Sequence, residues 1–176
     1  MDETANRDDM TLDQVLAIRR GAAGPVVNVD EPLVKLVVFV LNGEWFAFHG
    51  ERVKEVLSDF PVYFLPGCPP GLEGVINVRG DIESVLSLRT VLRYPAADAD
   101  SASRILLGQG AEIRSGLRVD SVEEVMDVPQ SLIQAPPHTI PDHLRSLVLG
   151  IVAFQGHMVT ILDMDRLLAD YRVGAL

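Results

Sequence analysis

Residues 74–80 read Gly-Val-Ile-Asn-Val-Arg-Gly, and residues 150–156 read Gly-Ile-Val-Ala-Phe-Gln-Gly. The two segments align glycine to glycine, and the register then runs on without a gap. Val85-Leu86-Ser87-Leu88 falls on Ile161-Leu162-Asp163-Met164, and Val91-Leu92 falls on Leu167-Leu168. Upstream, Val-Lys-Glu-Val-Leu at 53–57 matches Val-Glu-Glu-Val-Met at 122–126, and Pro69-Pro70 matches Pro136-Pro137. The offset grows because the second copy has a longer loop at 138–145. Four ordered blocks with aligned glycines point to an internal duplication.

Each copy reads as a series of short strands. Residues 33–41 are apolar and β-branched, and Asn42-Gly43 follows with the positive φ angles of a two-residue hairpin turn. Residues 45–48 form the return strand, with Trp45, Phe46 and Phe48 expected mostly in the core. Residues 50–57 read as a short amphipathic turn burying Val53 with Val56 or Leu57. Pro61, Pro66, Pro69 and Pro70 keep the next stretch extended or turned. Residues 74–78 and 82–88 are strands joined at Arg79-Gly80-Asp81. Residues 96–103 are a small-residue loop between the copies. Copies of about 70 residues with four or five strands each suggest small closed or nearly closed barrels, which remove exposed strand edges. A groove between two packed lobes is a common place for a partner.

The 176 residues hold one cysteine, Cys68, which excludes an internal disulfide and a multi-cysteine metal site. The apolar run 36–41 is far short of the roughly 20 residues of a membrane span. The N-terminus is acidic and polar, unlike a signal peptide, so a cytoplasmic protein is expected. The net charge of −10 and pI near 4.7 argue against nucleic acid and against insertion at an anionic membrane. Residues 1–31 carry seven acidic and three basic side chains and form an extension, with a short helix expected over 11–20 and a linker over 21–32. The body is expected over 32–170, in lobes of about 32–95 and 103–168.

No serine, cysteine or histidine pairs with a base in a way that marks a nucleophile. His138 and His143 have the wrong spacing for a helical zinc pair. Asp163 and Asp165 read as turn and helix-cap residues for a helix at 166–168, not a metal pair. Ser121 and Glu124 have the spacing of a capping box. Gly80 and Gly156 read as positive-φ turn residues. Phe64 and Leu65, between prolines, are candidates for an exposed apolar contact. No catalytic residue, metal or cofactor is expected.

Several segments together resemble the CheW family of chemotaxis coupling proteins. They are residues 74–80, Ser87-Leu88-Arg89, Val119-Asp120-Ser121-Val122-Glu123-Glu124-Val125, residues 161–168, and the opening hairpin 36–48. The likeness covers roughly residues 33–168. It implies a mainly β fold of two intertwined five-stranded SH3-like barrels with a few short helices, and no enzyme activity. It implies an adaptor between the regulatory domain of a CheA-type histidine kinase and the cytoplasmic hairpin tip of chemoreceptors, in the cytoplasm at membrane-associated receptor arrays. The family's paired glutamate and arginine fall on Glu55 and Arg79, with Val53, Gly74, Asn77 and Gly80 in the same binding segments. The second lobe keeps Glu124 but has Gln155 in the arginine's place. Three departures stand out. Ser87 replaces the family's aspartate, Glu83-Ser84 replaces an apolar-proline pair, and residues 61–70 are proline-rich and contain Cys68. They leave open a decoy that binds only the kinase or only the receptor, and they suggest a divergent member serving a specialised pathway.

Overall fold

A computed structural model describes residues 31–58, 60–96 and 102–172. The expected helix at 11–20, nearly all of the linker at 21–32 and most of the loop at 96–103 lie outside the described residues. Among the described residues there are ten strands: β1 (Leu33–Leu41), β2 (Glu44–His49), β3 (Val53–Ser58), β4 (Leu72–Val78), β5 (Asp81–Ser87), β6 (Arg104–Gly110), β7 (Ile113–Val119), β8 (Ser121–Pro129), β9 (Val148–Phe154) and β10 (His157–Leu162). Three short helices accompany them: α1 (Leu88–Val91), α2 (Asp142–Arg145) and α3 (Met164–Arg172).

The strands form two five-stranded sheets. The first has the order β8-β1-β2-β10-β9 and the second β3-β6-β7-β5-β4. Hairpin β1-β2, from the first sequence copy, lies between β8 and β10 of the second copy. Hairpin β6-β7, from the second copy, lies between β3 and β5 of the first. Each copy therefore lends its opening hairpin to the other copy's last three strands. The segments 32–95 and 103–168 are units of sequence repetition, and neither is a sheet by itself.

The exchange explains why residues 36–41 are apolar without alternation. A strand buried on both faces reads as a continuous hydrophobic run. Leu36 and Val38 face the interior of the first sheet with Ala47, Val152, Val159 and Ile161. Val37, Phe39 and Leu41 face a central core between the sheets, with Phe46, Phe48, Leu86, Leu106, Leu117 and Leu162. Leu88 and Val91 of α1 and Met164, Leu167 and Leu168 of α3 complete that core. A third cluster, Leu57, Ile76, Val78, Val85, Ile105 and Leu107, fills the second sheet. Trp45 takes the opposite face from Phe46 and Phe48. It is only partly buried, packed in the first sheet and stacked on His157 at a centroid distance of 4.2 Å.

Neither sheet closes into a continuous barrel. The edge strands β3 and β4 share no ladder, nor do β8 and β9. The chain leaving β3 instead curls back, and Tyr63 bridges Val75 of β4 through hydrogen bonds of 2.8 and 2.9 Å. The chain leaving β8 repeats the move, with Gln134 bridging Ile151 of β9. The aligned glycines make room for these bridges. A Cβ on Gly74, whose φ is +150°, would lie 2.2 Å from the Tyr63 carbonyl oxygen, and one on Gly150 would lie 2.8 Å from that of Gln134.

Several local expectations change. Residues 50–57 are a 3-10 turn (Gly50–Arg52) followed by β3, because pairing with β6 extends the chain from Val53. Leu57 is buried and Val56 exposed. Ser121 and Glu124 sit in β8, so they cap no helix. Asp163, not Asp165, caps α3 by accepting from the Arg166 N–H at 3.0 Å. Asp165 instead accepts from the Ala111 N–H and pairs with Arg52.

Candidate functional site

Glu55 and Arg79 belong to opposite edges of the second sheet. Glu55 is on β3, where the ladder with β6 shifts register between Val53 and Glu55. Such a bulge re-aims side chains at a sheet edge. Arg79 opens the two-residue turn between β4 and β5. Val78 pairs with Asp81, so Asp81 belongs to β5 and the turn is Arg79-Gly80 alone. Both turn residues have positive φ, +53° and +99°. A non-glycine residue held there costs about 1–3 kcal/mol, and such strain gathers at functional positions. Asn77 pins the turn, its Oδ1 accepting from the Gly80 N–H at 2.8 Å.

The Arg79 Nη2 donates to Glu55 Oε1 at 2.8 Å, through one bond and not a two-bonded fork. The pair spans the unpaired seam between β3 and β4. Arg79 is 78% exposed and Glu55 30%, so the pair is worth only ~0–1 kcal/mol. Its effect is to fix where two charges sit. The groove beside it, of about 280 Å³, is lined by Lys54, Glu55, Val78, Arg79, Asp81, Leu107 and Arg114. These residues all belong to the second sheet, so the site lies at that sheet's open seam and not between the two lobes. Both sequence copies still contribute, since Leu107 and Arg114 come from the lent hairpin.

The other expected site residues divide. Asn77 and Gly80 shape the turn that carries Arg79. Val53 packs against the central core. Gly74 is buried beneath Tyr63, so its place is structural. The first sheet repeats the seam with Glu124 and Gln155, whose Nε2 donates to Glu124 Oε2 at 3.3 Å. Gln155 also has positive φ, +47°. The seam there is bridged by a longer hydrogen bond from a neutral amide, and no ion pair forms.

A family model described as the CheW-like domain matches residues 35–172. The chain belongs to the CheW-like family. The chemotaxis protein CheW of Bacillus subtilis is 28% identical over 134 residues, covering 76% of this chain and 86% of that protein. Protein FrzA of Myxococcus xanthus is 28% identical over 131 residues, covering 72% and 79%. The crystal structure of the scaffolding protein TtCheW from Thermoanaerobacter tengcongensis superposes with a TM-score of 0.69 at 29% identity, covering 77% of this chain and 92% of that one. The mainly β, intertwined CheW-like architecture expected from the motifs is thus the fold observed.

One cluster escaped the sequence reading. Arg89, from the Ser87-Leu88-Arg89 motif, grips Asp120, from the Val119-Asp120-Ser121 motif, with Nε and Nη2 at 3.0 and 2.6 Å. Its Nη1 donates to Asn42 Oδ1 and to the Pro95 carbonyl, and the Asn42 N–H donates to Asp120. The knot ties α1, the first hairpin turn and the β7–β8 corner. The signal was present as two family motifs, but nothing in their sequence spacing paired them. Ser87 caps α1 through its hydroxyl, accepting from the Thr90 N–H at 3.4 Å, so the missing aspartate leaves the cap in place. Phe64 and Leu65 are exposed. Among the described residues, no group of three or more His, Cys, Asp or Glu is placed to hold a metal, and no helix is long and apolar enough to cross a membrane.

Proposed function

We propose that this chain is a non-catalytic adaptor coupling the cytoplasmic tips of chemoreceptors to a CheA-type histidine kinase, working in the cytoplasm at membrane-associated receptor arrays. The observation that carries the reading is the Glu55–Arg79 pair at the open seam of the second sheet, in a member of the CheW-like family. The receptor hairpin takes the groove beside that pair. Asn77 and Gly80 present Arg79, while Val53 and Gly74 support the two strands from behind. The kinase's regulatory domain docks on the same rigid body, lobe against lobe. One body touching both partners lets a shift at one contact bias the other.

The departures at Glu83, Ser84 and Ser87 are what favoured a decoy and a specialised pathway. All three side chains have internal partners: Arg114, Ser115 and the Thr90 N–H. Substitutions satisfied inside the fold give no sign of a lost interface, so the two-partner reading is preferred. Pull-down with each partner separately tests it. The wild-type chain should capture both, and Arg79→Glu should lose the receptor fragment while keeping its melting temperature. A folded Arg79→Glu variant that still co-purifies with receptor removes the role assigned to the groove.

A further inference from the structure

Glu83 is a carboxylate where the family resemblance calls for an apolar residue, and it is nearly buried, with 11% of its side chain exposed. Its Oε1 lies 2.7 Å from Nε of Arg114 on β7. One residue on, the Ser84 and Ser115 hydroxyls lie 2.9 Å apart, on partners in the parallel β5–β7 ladder. Two polar departures on β5 are therefore answered by two polar residues on β7. A nearly buried carboxylate requires a cation, and Arg114 supplies it.

Arg114 also reaches further. Its side chain is 38% exposed and lines the groove that Arg79 lines. Nε is committed to Glu83, while Nη2 is 3.6 Å from Asp81, too far for a hydrogen bond. The guanidinium thus keeps unspent N–H donors at the groove wall. Arg79 does the same, with only Nη2 bonded to Glu55. The lining holds Lys54, Arg79 and Arg114 with Glu55 and Asp81, and Glu83 lies directly behind Arg114, so what the groove offers is aimed guanidinium N–H donors and not an excess of positive charge.

We infer that Arg114, held by Glu83, is a specificity-determining residue of this groove, and that with Arg79 it receives an acidic side chain of the partner segment. The inference rests on the adaptor reading and names the chemistry of the partner at that site. Guanidinium forks match carboxylates in geometry as well as charge, so two of them select for an acidic side chain over a neutral one. Glu83 is a positioning residue, aiming a cation that a flexible surface arginine would not hold still.

The test uses the full chain and a soluble cytoplasmic-tip fragment of a chemoreceptor from the same cell. Affinity is measured by calorimetry at low and high salt. Arg114→Gln should weaken binding about tenfold and flatten the salt dependence, because one charge contact is gone. Arg114→Lys keeps the charge and loses the fork, so it should fall between. The double variant Glu83→Gln with Arg114→Gln leaves no nearly buried charge unpaired, which keeps the test valid if Arg114→Gln alone is poorly folded. It too should bind about tenfold more weakly. If the wild-type chain binds the fragment and the double variant, folded, binds it equally with the same salt dependence, this inference is overturned and the adaptor reading stands. If the wild-type chain binds neither the fragment nor the kinase's regulatory domain, both fall.

Discussion

Replacing Arg89 with alanine should destabilise the protein more than any other single charge removal outside the groove. The guanidinium makes four hydrogen bonds, two to Asp120, one to Asn42 and one to the Pro95 carbonyl. The Arg89 and Asp120 side chains are 17% and 28% exposed, so the pair is sheltered but not dry. Removing one member of a fully buried pair costs about 3–5 kcal/mol, and exposed pairs are worth about 0–1 kcal/mol. Partial shelter and a bidentate grip place Arg89→Ala at about 2–4 kcal/mol. For a domain of this size that is a fall in melting temperature of about 6–12 °C. Urea denaturation should show the midpoint falling with little change in slope. Asp127→Asn, which removes a pair with Lys35 whose two side chains are both about half exposed, is the control and should cost under about 1 kcal/mol. The double variant Arg89→Ala with Asp120→Ala should lose less than the sum of the two single changes, because Asp120 is no longer left facing an empty site. An Arg89→Ala protein within about 0.5 kcal/mol of wild type would show that the knot ties nothing.

Other outcomes follow from the same geometry. Gly74→Ala forces a Cβ into the Tyr63 carbonyl at a backbone angle of +150°, and should lower the melting temperature more than Gly150→Ala, whose clash with Gln134 is looser and whose φ is unstrained. Tyr94 donates to Glu44 at 2.6 Å, and burial, then that carboxylate, hold its hydroxyl protonated well above the ordinary tyrosine range. Above about pH 10 the unfolded chain releases this proton and the folded chain does not, so stability should fall as pH rises there. Tyr94→Phe should lessen that fall, and ultraviolet titration should lose a late-ionising tyrosine.

Much of the fold was legible because duplication leaves a mark on sequence. The glycines at 74, 80, 150 and 156 kept their register, and the structure uses them for close bridges and positive-φ turns. The exchange of hairpins was not legible in the residues themselves. Strand periodicity says which face is buried but not which neighbour is paired, and residues 36–41 simply lacked alternation. Residues 53–57 misled because Val53, Val56 and Leu57 have helical spacing, and only the ladder with β6 decides for a strand. Asp163 and Asp165 are two residues apart, within the usual uncertainty of a helix start, so spacing alone does not say that Asp163 is the cap and that Asp165 holds Arg52 and the Ala111 N–H. Glu55 and Arg79 could be paired only through the family resemblance. Their meeting depends on how far the second sheet curls, which no local pattern encodes. Arg114 is invisible in the sequence for the same reason: its partner Glu83 stands out as a departure from the family pattern, but the parallel β5–β7 register that joins them is a property of the exchanged hairpin.

The most direct measurement is light scattering on a mixture of this chain, a receptor-tip fragment and the kinase's regulatory domain after size-exclusion chromatography. An adaptor should give one peak whose mass accounts for all three, and with Arg79→Glu a peak retaining only this chain and the kinase domain. Mutually exclusive binary peaks for the wild-type chain would contradict the coupling role.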